Sequence, residues 1–121
     1  MRPIILLLAM FAASLGVAGA QTPSDDLAGI RERGVLRVGV AEITPWAMRT
    51  GLGENMIGYE IDSTEKLAAH LGVTRELIAV PFGELAYALR DGRFDIVASG
   101  YSMSDERRSI IDFSMPYTNL H

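Results

Sequence analysis

The sequence predicts an α/β fold: an open, mainly parallel sheet with flanking helices. Three observations point to it. Strand-like and helix-like segments alternate from residue 35 to residue 113. Each strand-like run gives way to a loop rich in Gly, Pro or hydroxyl residues. Apolar residues make up 49% of the 121-residue chain and charged residues 21%, values of a packed domain, and the length suits one modest domain better than two.

The N-terminus stands apart. Arg2 is followed by "PIILLLAMFAASLGV", then Ala18-Gly19-Ala20, then polar "QTPSDD". A charged start, a short apolar centre and an A-x-A step predict a secretory signal over residues 1–20, cleaved after Ala20, and hence a periplasmic protein. The competing reading, a transmembrane anchor, is weaker because the apolar centre falls short of the roughly 18 residues of a span, and Gly16 and Gly19 thin its end. With no cysteine, the chain has no disulfide, thiolate zinc site, cysteine nucleophile or lipidated cysteine. Residues 21–29 read as a polar linker, and residues 30–121 as the folded unit. A net charge of −4 gives no basic field for nucleic acid or an anionic membrane.

Each element has its own signal. "VLRVGV" (35–40) alternates Leu36, Val38 and Val40 with Arg37 and Gly39, a strand pattern. A loop with Pro45, Gly51, Gly53 and Gly58 follows. "YEIDSTEKLAAHLG" carries Ile61, Thr64, Ala68 and Leu71 at helical spacing with Leu67 beside them, acids near its start and Gly72 at its end. "ELIAVPF" (76–82) is a short strand stopped by Pro81. "GELAYALRDG" is a helix with Leu85, Ala86 and Leu89 inward and Gly92 closing it. "FDIVASG" (94–100) is a third strand, and "SDERRSIIDF" (104–113) a third, short helix.

In open parallel sheets, ligands bind outside the carboxyl ends of the strands. Three loops fall there: the one after Val40, Pro81-Phe82, and Ser99 to Ser104. Ala98, Ser99 and Gly100 are small enough for a ligand to approach the backbone. Ser102 and Ser104 offer hydroxyls, and the fork of Arg107 matches a carboxylate. A plainer reading competes: Ser104 caps the helix and Arg107 and Arg108 are surface charges. Residue pattern alone favours the plainer reading, since most such residues are caps and surface charges.

The segments "GVLRVGV", "GYEID…KLAAHLGV", "PFGELAYALRDGRFDIVASG" and "MSDERRSIIDFSMPY" stand in the order and spacing of a known family. From about Arg33 to Tyr117 the chain resembles the bacterial extracellular solute-binding proteins of family 3, periplasmic receptors that deliver polar amino acids to ABC importers. The resemblance implies a periplasmic-binding-protein-like (type II) fold whose two lobes close on a ligand. It implies that Arg107 clamps the carboxylate of a small-molecule ligand, an amino acid or similar acid, assisted by Ser99, Gly100 and Ser102. It implies that Arg108 stays a surface charge. Phe82 falls where a ring packs on the ligand, though a core place beside the 85–89 helix fits it equally. Trp46 reads as a wall or core residue. Tyr101 stands where an aliphatic residue is usual and reads as packing or pocket edge. Ala41-Glu42 departs from the family's acidic residue directly after the first strand, which puts in doubt a first-lobe contact to the ligand's amino group.

Family members run to roughly twice this length, so the chain is expected to be lobe 1 alone, truncated before the second lobe and a weak binder by itself. An ABC permease is the partner expected of a full-length version; a monomer, with no nucleic acid, cofactor or metal, completes the expectation. Two alternatives share the fold, a cyclohexadienyl-dehydratase-like enzyme and an extracellular sensory module. No catalytic set stands out: His70 lies in a helix, His121 is terminal, and Glu42, Glu60 and Asp62 read as loop or helix-start acids that serve the dipole.

Overall fold

The computed structural model describes residues 26–53 and 55–119. The predicted signal segment, its cleavage point and the start of the predicted linker lie outside the described residues. From Asp26 the predicted linker is instead helical: α1 spans Asp26–Arg33 and buries only Ile30. Its polarity concealed it, because one inward side chain leaves no periodic stripe.

Strand β1 (Val35–Val40) is central. It pairs in parallel with β4 (Thr74–Ala79), from Val35 opposite Thr74 to Val40 opposite Ala79. On its other side it pairs in parallel with β5 (Ile96–Val97), so the order is β4-β1-β5. The β4 ladder begins two residues earlier than predicted and stops before Pro81, which has no N–H to continue it. The β5 ladder is shorter than the predicted 94–100, with Asp95 N donating to Arg37 O and Ala98 N to Gly39 O at its two ends.

Period-two alternation gives the sheet two apolar faces. Leu36, Val38 and Val40 pack with Ile30 of α1 and with Ile61 and Ala68 of α2 (Tyr59–Leu71). On the opposite face Phe94 and Val80 pack with Leu85 and Ala88 of α3 (Leu85–Arg90), which follows a 3-10 turn over Phe82–Glu84. Gly39 faces Phe94, and a Cβ there would lie 2.3 Å from the ring, so only glycine lets ring and strand pack this closely. The result is helix, sheet and helix, the predicted layering.

The 41–58 loop holds an unpredicted hairpin, β2 (Met48–Arg49) paired antiparallel with β3 (Met56–Ile57). The third predicted helix is shorter than 104–113: α4 is the single turn Asp105–Arg108. Ser109 ends it, its hydroxyl donating back to Glu106 O, a local bond that competes with helix continuation. At the amino end of the sheet, Asp95 Oδ2 accepts from Arg33 Nη2 at 2.5 Å and from Arg37 N at 2.8 Å, and Oδ1 accepts from Arg37 Nη2 at 3.0 Å. Burial alone would raise the Asp95 pKa, but the Arg37 and Arg33 hydrogen bonds outweigh it and hold the carboxyl below its ordinary value.

Candidate functional site

The carboxyl ends of β1, β4 and β5 meet as predicted, and the loop after β5 is fastened there from three sides. Ser99 is fully buried; its Oγ accepts from Ala41 N at 2.7 Å and donates to Ala41 O at 3.3 Å. The Ser99 hydroxyl thus ties the ends of β5 and β1 together and is not open to a ligand. The resemblance counts Ser99 among the residues that assist the carboxylate clamp; its hydroxyl is engaged by backbone, as a small hydroxyl at a strand end readily is.

Gly100 takes the left-handed conformation, φ +58°, and a Cβ there would lie 2.5 Å from the Trp46 indole. Glycine therefore does two things: it permits the turn and it seats the ring. The Gly100 N–H, expected to face a ligand, donates to Glu60 Oε1 at 3.2 Å.

Arg107 folds back over this loop. Its Nη1 donates to Ser102 O at 2.8 Å and to Ser102 Oγ at 2.9 Å. The guanidinium carbon sits 4.1 Å from the Tyr101 ring centroid and 5.2 Å from that of Phe82. Tyr101 in turn meets Phe82 edge-on at 5.1 Å and stacks on Phe113 at 6.2 Å. Ring faces carry negative quadrupole charge, so this aromatic corner holds a cation without neutralising it. Nε and Nη2 of Arg107 have no hydrogen-bond partner among the described residues, leaving two adjacent donors in a fork. The capping reading also holds: Ser104 Oγ accepts from Arg107 N at 3.1 Å. The two roles coexist because one uses the backbone of Arg107 and the other its side chain. Arg108 is exposed, with Nη2 against Met103 Sδ at 3.3 Å.

A cavity of about 360 Å³ opens beside the loop, its lining including Trp46, Gly100, Tyr101, Ser102, Met115 and Tyr117. Phe82 lines a separate hollow with Ala41, Glu42 and Arg49, and Glu42 pairs with Arg49 at 3.3 Å. Of the five predicted site residues, Gly100 and Ser102 line the cavity beside Trp46, Arg107 joins Ser102 to Phe82, and Ser99 lies beneath. Phe82 takes its place against Arg107 and Tyr101.

Three residues outside the five predicted ones also take part in the site. Trp46 is a wall of the cavity, as one of its two predicted roles had it. Tyr101 is both packing and pocket edge. Glu60, read as a helix-start acid, is only 2% exposed. It lies on the stripe of Thr64 and Ala68, which are also buried. The four-residue spacing from 60 to 64 to 68 marks Glu60 as inward-facing. Tyr117 donates its hydroxyl to Glu60 Oε1. Burial first, and then the Glu60 carboxylate, push the Tyr117 pKa up, so the phenol stays protonated as a donor.

A family model described as bacterial extracellular solute-binding proteins, family 3, matches residues 36–121. The L-cystine-binding protein TcyJ of Escherichia coli (strain K12) is 35% identical over 89 residues, 74% of this chain and 34% of that protein. Cyclohexadienyl dehydratase of Pseudomonas aeruginosa is 35% identical over 106 residues, 87% of this chain and 39% of the enzyme. Among solved structures, the arginine-bound form of domain 1 from TmArgBP superposes with a TM-score of 0.70 at 31% identity, covering 74% of this chain and 71% of that one. The chain spans about a third of the length of the curated relatives it matches.

Proposed function

Because the chain belongs to the bacterial extracellular solute-binding proteins of family 3, we propose that it forms the carboxylate-gripping lobe of a periplasmic receptor for an amino acid or a similar small acid. The observation that carries this reading is the state of Arg107. Its guanidinium is anchored on one nitrogen by Ser102 and steadied by Tyr101 and Phe82, while Nε and Nη2 have no partner among the described residues. A cation held in place with an open fork fits a carboxylate bidentately, and preorganisation lowers the entropy lost on binding.

In operation, the ligand's carboxylate meets Arg107 and the loop at Ser102, and its remaining body lies along the Trp46 wall. A facing lobe would close over it and hand it to an ABC permease. The solved domain 1 of TmArgBP is an arginine-bound form, which supports a single lobe holding ligand on its own. Export through a cleaved leader at residues 1–20 and a monomeric state belong to the same proposal.

Isothermal titration of this chain with L-arginine, L-histidine and L-cystine tests it. One lobe leaves half the ligand in water, so binding in the high-micromolar to millimolar range is expected, roughly −4 to −6 kcal/mol. No heat from any of the three would sink the reading. The dehydratase relative supports a second reading, an enzyme of the same fold. Turnover of a cyclohexadienyl acid by this chain would favour that reading over binding.

A further inference from the structure

Glu60 is the one acidic residue that the fold buries among the described residues, and no cation pairs with it there. A buried carboxylate without a cation has to be satisfied by donors. Three supply it: Gly100 N–H at 3.2 Å and the Tyr117 hydroxyl on Oε1, and Ser63 Oγ at 3.1 Å on Oε2. Its backbone N–H also donates to Trp46 O at 3.0 Å. One residue thus touches the Trp46 loop, the loop that leads through Ser102 to Arg107, and the segment around Tyr117. All three line the same cavity. Tyr117 stacks on Tyr59, whose edge contact with Trp46 closes the ring of contacts.

We propose that Glu60 is a positioning residue: an internal carboxylate that fixes Gly100 in its left-handed turn and ties the cavity's loop wall to its Tyr117 wall. Gly100 could not serve this way with its amide turned to a ligand, so Glu60 takes an N–H that the loop would otherwise offer to the bound acid. Ser102, two residues on, is then held where it meets Arg107 Nη1. The proposal rests on the binding reading only for its second measurement.

The first measurement is hydrogen exchange at the Gly100 amide, by NMR, in the full chain without ligand. In E60A this amide is expected to exchange about tenfold faster or more, as loss of a charge-assisted bond implies. Amides of the β1–β4 ladder should move much less. E60Q offers the same acceptor oxygen and should stay within about threefold of the parent. Gly100 exchange unchanged in E60A, or faster only in step with the ladder amides, overturns the proposal. Should E60A not fold, E60D decides: it keeps the charge but falls a methylene short, so Gly100 protection should drop, and protection within about twofold of the parent overturns the proposal. The second measurement is titration with whichever of L-arginine, L-histidine or L-cystine binds. E60A should weaken that binding at least about fivefold and E60Q should restore it; equal affinity in E60A contradicts the positioning role. A parent chain that binds none of the three sinks the functional reading and leaves hydrogen exchange to decide on Glu60.

Discussion

Replacing Arg107 by Ala separates what this side chain does for the fold from what it does for a ligand. Within the protein it contributes two partly exposed bonds to Ser102 and a cation–π contact with Tyr101. Such exposed polar contacts are worth little individually, and the cation–π contact about 0.5–1 kcal/mol, so R107A should lower stability by only about 1 kcal/mol. Binding should respond more. Removing the fork leaves the ligand carboxylate in a half-open cleft without a cation, a loss of about 1.5–3 kcal/mol for hydrogen bonds to a charged group. That corresponds to roughly tenfold to a hundredfold in Kd. Trp46, the single tryptophan, lines the cavity and gives a fluorescence readout beside calorimetry. R107K should not restore affinity, because an ammonium lacks the planar fork. If R107A kept its affinity within about twofold, the clamp assignment would be wrong.

Three further predictions address the surroundings. Y101L removes the ring beneath the guanidinium and should weaken ligand binding by about two- to fivefold, while Y101F leaves it intact, as parallel titrations would show. G100A forces a Cβ into the Trp46 indole from a left-handed backbone. It should cost about 1–3 kcal/mol in urea unfolding and shift Trp46 emission, and an unchanged spectrum would contradict the packing. The Asp95 carboxyl titrates below its ordinary value of 3.8 in the folded protein, so its stabilisation is complete above that value and disappears as pH falls through the lowered one. D95N should therefore be less stable than the parent by about 1 kcal/mol near pH 6, the exposed side of Arg33 discounting the pair, with the gap narrowing as pH falls below 3.8.

The strands and the middle helices were legible because burial there follows a period. Leu36, Val38 and Val40 alternate inward, and Ile61, Thr64 and Ala68 recur at helical spacing. Pro81 and Gly72 marked ends for reasons local to the backbone. The β2–β3 hairpin was not legible, since two-residue strands are too short to show any period. Helix α1 escaped notice because Ile30 is its only buried side chain. At the site, Arg107 and Ser102 could be named from the family's order of segments. What that order could not convey is which groups the fold itself consumes. Ser99 Oγ is taken by Ala41, the Gly100 amide by Glu60, and the Phe82 ring by Arg107 and Tyr101. These pairings join residues 40 or 58 apart in the chain, or depend on ring orientations that spacing does not encode.

The central claim is that Arg107 reads a carboxylate, and a comparison of acid with amide tests it most directly. The amino acid that binds in the titration would be measured beside its carboxamide, against the parent chain and R107A. The parent should lose about tenfold or more in affinity for the amide, and R107A should not distinguish the two. Equal binding of acid and amide by the parent would contradict it.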